Sequence, residues 1–115
     1  MNTEKRQHPR VESLNLMAYI CRDENGNVSS QGMGRTLNVS ETGVLLETYY
    51  PIECEDILLM DIGIQDELID LKGKVIHSGI NQEGKSETGI EFVEVDEKSM
   101  TILKKFIGAF RELYE

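Results

Sequence analysis

The stretch Asn38-Val39-Ser40-Glu41-Thr42-Gly43-Val44-Leu45-Leu46-Glu47-Thr48-Tyr49 opens as a polar turn and continues as a strand. Asn and Ser bend a chain by hydrogen-bonding their own backbone, and Gly tolerates conformations closed to other residues. The turn therefore spans Asn38 to Gly43, and Val44 to Tyr49 is a strand that Pro51 ends. Upstream, Gln31 to Leu37 reads as the returning strand of a hairpin whose turn is Asp23-Glu24-Asn25-Gly26-Asn27. Before that turn Leu14, Leu16, Ala18 and Ile20 recur at every second residue, the period of a half-buried strand that begins near Val11. Downstream, Ile57 to Ile62 is a fourth strand and Leu68 to His77 a fifth. In the fifth, Ile69, Leu71, Gly73, Val75 and His77 share one face, and Leu68, Asp70, Lys72, Lys74 and Ile76 share the other. Asn81 to Gly84 is a turn and Thr88 to Val95 a sixth strand.

The period then changes. Asp96 is placed to cap a helix, and Met100, Leu103, Phe106, Ile107, Phe110 and Leu113 follow at three- and four-residue spacing. A helix from about Glu97 to Leu113 with one apolar face is expected. Short strands at regular spacing followed by one helix predict an all-β fold, a small antiparallel barrel with the helix packed against it.

The chain has 115 residues, enough for one domain. Residues 1–10 are polar and contain Pro9, so they read as a flexible arm ahead of a domain over 11–115. The formal net charge of −9 excludes nonspecific DNA or RNA binding, which needs a broad basic surface. Positive charge is nevertheless concentrated at the start, in Lys5, Arg6 and Arg10. Local concentration of this kind suits a small anion. With no apolar run near the roughly 20 residues of a membrane span and no secretory signal, a cytoplasmic protein without membrane insertion is expected. Cys21 and Cys54 have no metal-ligand spacing and are expected as two reduced thiols.

Catalytic patterns are missing. The sequence has no His-Glu-x-x-His, no Gly-x-Ser-x-Gly and no phosphate-binding Gly-rich loop with Lys, and His8 and His77 have no evident partner. Asp23-x-Asn25-x-Asn27 begins like a calcium loop but has Val28 and Gly34 where Gly and Glu are needed, so it reads as a hairpin turn. No metal, no cofactor and no enzymatic activity are expected.

Two short motifs remain. Arg6-Gln7-His8-Pro9-Arg10 puts two guanidinium groups on one side of an extended chain, roughly 13 Å apart at ~3.3 Å per residue. Each is a planar fork of donors suited to phosphate and to the O6/N7 edge of guanine, and its face stacks on a base. In the turn, Asn38 offers an acceptor and donors to a guanine edge, Ser40 offers a hydroxyl to a phosphate, and Gly43 allows either a positive φ or a close backbone approach. Each motif alone is more often a solvated tail or an ordinary polar turn. Together, in this order on a β-rich chain, they resemble the PilZ domain family. Thr88-Gly89-Ile90-Glu91-Phe92 is similar to that family's late strand, and the apolar helix to its closing helix.

The resemblance implies a six-stranded antiparallel barrel with a C-terminal α-helix. It implies cyclic di-GMP as ligand, held between arm and barrel by Arg6, Arg10, Asn38, Ser40 and Gly43, with Gly89 and Lys5 adjoining. A basic residue at position 5 goes, by the same resemblance, with two stacked ligands per chain. Binding would order the arm and present a surface to a downstream protein partner. A PilZ-like adaptor that binds a protein without nucleotide is the alternative.

Overall fold

The computed structural model describes residues 16–54, 58–64 and 67–114. Among these lie six strands: β1 (Leu16–Arg22), β2 (Val28–Val39), β3 (Gly43–Thr48), β4 (Leu58–Ile64), β5 (Glu67–Ile80) and β6 (Ser86–Val93). One helix follows, α1 (Glu97–Tyr114). Every strand pairs antiparallel, and the order β1-β2-β3-β6-β5-β4 closes into a barrel. Closure removes the unpaired edges that an open sheet would expose. Residues 1–15, with the arm and the expected start of the first strand, lie outside the described residues.

The period of two seen in the sequence is the period of the wall, but in β1 its phase is opposite to the one expected: Leu16 is exposed and Ala18 and Ile20 are half-buried, while the residues between them point into the core. Both faces of this strand are apolar, so the phase is fixed by its ladder partners rather than by the pattern. Met17, Tyr19 and Cys21 of β1, Leu46 of β3, Met60 of β4, Ile69 and Leu71 of β5, and Ile90 and Phe92 of β6 are buried. The helix packs against β4 and β5 and adds Ile102, Leu103, Phe106, Ile107 and Phe110 to the same core. Phe106 and Phe110 stack at 6.2 Å between ring centroids. Burial of such side chains is worth about 1.5–3 kcal/mol each, which makes the helix integral to the core of so short a chain. Asp96 does cap it: its Oδ1 accepts from Ser99 N at 2.7 Å, and that backbone hydrogen bond holds the carboxyl below its usual range.

Three register shifts interrupt the ladders, one at the β1–β2 hairpin between Cys21 and Arg22 and two that bear on the expected faces. The register of β2 against β3 shifts between Thr36 and Asn38, making Leu37 an extra residue. The register of β5 against β6 shifts between Val75 and His77, making Ile76 extra. A β-bulge reverses which face the following side chains take, because the side-chain period is two. Gly34 and Thr36 are buried before the first bulge, whereas Val39 is buried and Asn38 exposed after it. Asn38 thus belongs to β2, paired with Leu45, rather than to the turn. His77, expected to share the inward face with Leu71, is exposed for the same reason.

The cysteines correct a second expectation. Cys21 and Cys54 form a disulfide, with Cα atoms 5.8 Å apart. It ties the end of β1 to the segment after β3 across 33 residues of sequence. Nothing in the local spacing marks the two as partners; barrel closure brings them together.

A polar network braces the outside of the wall. Glu47 of β3 takes Arg35 Nε of β2 at 2.9 Å and Asn81 Nδ2 at 2.7 Å. Asn81 Oδ1 accepts in turn from the backbone of Glu83 and Lys85, which holds the β5–β6 turn. Burial alone would raise the Glu47 carboxyl, but the hydrogen bonds from Arg35 and Asn81, with the charges of Arg35 and Lys85, hold it below its usual range. The opposite case stands on β4 and β5, where Asp61 faces Asp70 in register. The hydrogen bond the two carboxyls share, together with partial burial and mutual repulsion, pushes Asp61 up to about 6.

Candidate functional site

The β2–β3 turn is held by its own polar groups. Ser40 N donates to Gly43 O at 2.9 Å, closing the turn. Thr42 N donates to Ser40 Oγ at 3.2 Å, and the Ser40 and Thr42 hydroxyls lie 3.1 Å apart. Thr42 O accepts from Phe92 N at 2.8 Å, which ties the turn to β6. Gly43 answers the question its sequence left open. Its φ is not positive, unlike those of Gly26 and Gly84. A Cβ at position 43 would instead sit 2.3 Å from Ile90 O, so only glycine lets β3 come so close to β6.

Asn38, put outside by the bulge, accepts from Val39 N through its Oδ1 at 2.9 Å. Among the described residues nothing takes its Nδ2 hydrogens. Gly89 of β6 lies opposite His77 of β5, and a Cβ there would meet the His77 Cβ at 3.3 Å. Asn38, Ser40, Gly43 and Gly89 all line one open depression of about 230 Å³, together with Leu45 and Ile76. Four of the seven residues picked from the sequence therefore converge on a single place. The other three, Lys5, Arg6 and Arg10, lie outside the described residues. Leu45 and Ile76 were not singled out in the sequence. Ile76 stands on the outer face that periodicity gives it, after Lys72 and Lys74, but that this part of the face borders a depression is decided by strand pairing.

The depression offers amide donors, a hydroxyl already in a hydrogen-bond relay, and an apolar wall. Among its lining residues none is a cation. A larger depression, about 620 Å³, lies between the β1–β2 turn and the outer faces of β4, β5 and β6, lined by Arg22, Asp23, Glu24, Leu59, Lys72 and Glu94 among others. Its two cations are engaged, Arg22 with Gly26 O at 2.9 Å and Lys72 with Glu94 at 3.5 Å, and three carboxylates outnumber them. That balance is unsuited to phosphate despite the greater volume. Among the described residues no three His, Cys, Asp or Glu side chains are placed to hold a metal, and no helix is long and apolar enough to cross a membrane.

Comparison with known proteins agrees with this geometry. A family model described as the PilZ domain matches residues 4–109. No curated protein matches the chain in sequence. Among solved structures, the PilZ domain of CeSA from a cellulose-synthesizing bacterium is similar, with TM-score 0.60 and 12% identity over 84% of this chain and 91% of that one. The PilZ domain of YcgR from Escherichia coli, solved with c-di-GMP, matches with TM-score 0.59 and 11% identity, over 85% and 83% of the two chains. The Bacillus subtilis inhibitor of motility (MotI/DgrA) matches with TM-score 0.61 and 12% identity, over 87% of this chain but 48% of that one. At such identities the likeness to solved structures is one of fold. With the family model covering nearly the whole sequence and the barrel closing as the family's pattern requires, the chain belongs to the PilZ domain family.

Proposed function

We propose that this protein is a receptor for cyclic di-GMP that relays the signal to a protein partner and turns nothing over. One observation carries the reading: Asn38, Ser40, Gly43 and Gly89, from three strands and a turn, meet in one depression on the barrel wall. The family match supports it, and so does the c-di-GMP in the similar YcgR domain. The depression lacks cations, and the arm over residues 1–10 supplies them. Arg6 and Arg10 take guanine and phosphate, Asn38 takes a guanine edge, and Ser40 redirects its hydroxyl to a phosphate or guanine. Lys5 offsets the crowding of four phosphates when two ligands stack. The arm's division of labour with the barrel is the reason a strongly acidic chain can hold a dianion: close contacts act well inside the ~8 Å Debye length of physiological salt, while the distant carboxylates are screened.

Calorimetric titration with cyclic di-GMP tests this. Binding of nanomolar to low-micromolar strength, about −8 to −12 kcal/mol, is expected, with two ligands per chain. At a hundredfold excess over Kd the ligand should stabilise the fold by about 2.7 kcal/mol. Arg6→Ala and Arg10→Ala should each cost about 1–3 kcal/mol of binding with circular dichroism unchanged, and Lys5→Leu should move the ratio toward one. No heat and no thermal shift would overturn the receptor and leave the nucleotide-free adaptor.

A further inference from the structure

We propose that Ile76, the extra residue of the β5 bulge, is the apolar platform on which a base of the bound nucleotide lies. The inference rests on the cyclic di-GMP reading and adds to it a residue outside both sequence motifs.

A single exposed isoleucine on a protein surface is ordinary. Position sets this one apart. Ile76 follows Lys72 and Lys74 on the outer face of β5 and is 63% exposed, yet it is apolar and lines the same depression as Asn38, Ser40 and Gly43. It stands in the bulge between Val75, which pairs with Ile90, and His77, which pairs with Gly89. Gly89 lines the depression too; a Cβ there would lie 3.3 Å from His77 Cβ and 3.9 Å from Ile76 Cγ1, so its absence leaves Ile76 open on that side. The floor of the depression is thus bounded by a branched aliphatic side chain on one side and by amide and hydroxyl groups on the other. That combination matches a nucleobase, which has an apolar face and polar edges. A phosphate alone has no use for the aliphatic side.

The second bulge supports the same picture. Leu37 is the extra residue of β2, and its insertion exposes Asn38 toward the depression. The two bulges thus flank one site, the first turning Asn38 outward and the second lying at Ile76. Bulges that re-aim side chains are over-represented beside functional sites.

Titration of variants with cyclic di-GMP decides the matter. Ile76→Thr keeps the β-branch that suits a strand, and Ile76→Ala removes the platform. Each should weaken binding about fivefold to tenfold, the scale of uncovering an apolar side chain's contact surface. Ile76→Glu should weaken it a hundredfold or more by setting a carboxylate beside the ligand phosphates, and Ile76→Trp should tighten it by extending the stacking surface. Melting temperatures without ligand should stay near that of the native protein, since the side chain is exposed. Ile80→Ala, on the same strand at 75% exposure but outside the depression, should bind as the native protein does. If the native protein binds and Ile76→Thr, Ile76→Ala and Ile76→Glu all bind equally well, the platform is refuted while the receptor stands. If the native protein does not bind, both fall.

Discussion

Two polar clusters sit three or four residues apart on the same pair of strands, and they are finished to different degrees. At one end of the β2–β3 ladder, Arg35, Glu47 and Asn81 saturate one another, and the central carboxylate is buried. At the other end, Asn38 spends its oxygen on the next backbone N–H and leaves its Nδ2 hydrogens without a partner among the described residues, while Ser40 shares a short relay with Thr42. The first cluster is a brace: its hydrogen bonds close within the protein. The second stays open: donors remain available beside a depression. The contrast teaches that polar residues of one strand pair divide by satisfaction rather than by exposure alone, since unsatisfied donors at a concave place are what a ligand can use.

The contrast can be broken at its hinge. Gly43 begins β3 and closes the recognition turn, and a side chain there collides with the Ile90 carbonyl. Gly43→Val should cost about 3 kcal/mol of stability, at the upper end of what overpacking exacts, because backbone rather than a movable side chain is in the way. Chemical denaturation would measure it. Full stability with a β-branched residue at this position would show that β3 and β6 can part without loss, and the tight approach would lose its meaning.

It can be sharpened at the brace. Glu47→Gln should lower stability by about 1–2 kcal/mol, the scale of losing hydrogen bonds to a charged group, and leave cyclic di-GMP affinity within twofold. The sign of its pH dependence follows from the lowered carboxyl. A group held below its unfolded value contributes fully above the unfolded pKa, about 4.3 for Glu, and its contribution fades as pH falls through the folded value. The gap between native and Glu47→Gln melting curves should therefore narrow below about pH 4. A gap that stayed constant down to pH 3 would mean that the amide replaces the carboxylate without electrostatic loss.

The smallest effect belongs to the like-charged pair. Asp61 is raised to about 6 by the hydrogen bond it shares with Asp70, by partial burial and by repulsion. A raised carboxyl works in the opposite direction: its favourable contribution is present below the unfolded pKa and lost as pH climbs past about 6. Asp61→Asn should then stabilise the protein at pH 7.5 by less than about 1 kcal/mol, because solvent screens an exposed pair, and should make no difference at pH 4. Thermal melts at the two pH values separate this from a general gain in strand propensity, which would appear at both.

Much of the architecture was legible in the residues. The alternation in Ile69-Asp70-Leu71-Lys72 reads as a half-buried strand, and the change of period after Asp96 marks the helix with its cap, whereas Leu16-Met17-Ala18-Tyr19-Ile20 is apolar on both faces and its buried side was not legible. The spacing of Asn38, Ser40 and Gly43 and the resemblance it carries pointed to residues that do lie together, with Gly89, in one depression. Strand ends were less legible. β5 runs on to Ile80, and β6 stops at Val93, where Glu94, with φ 54°, turns the chain toward the helix. Ladder pairing across the barrel decides such limits, and propensity at the ends is too weak to do so.

Sequence alone determined that this chain makes a strand-rich wall, one amphipathic helix and a polar turn, because those depend on periods and residue chemistry within a few positions. Tertiary structure alone decided the rest. Whether Gly43 serves a turn angle or a close approach depends on where Ile90 lies. That Cys21 meets Cys54 depends on barrel closure. That Asn38 faces the depression beside Ile76 depends on an inserted residue that shifts the register of β2, and an insertion is visible only against the strand with which it pairs.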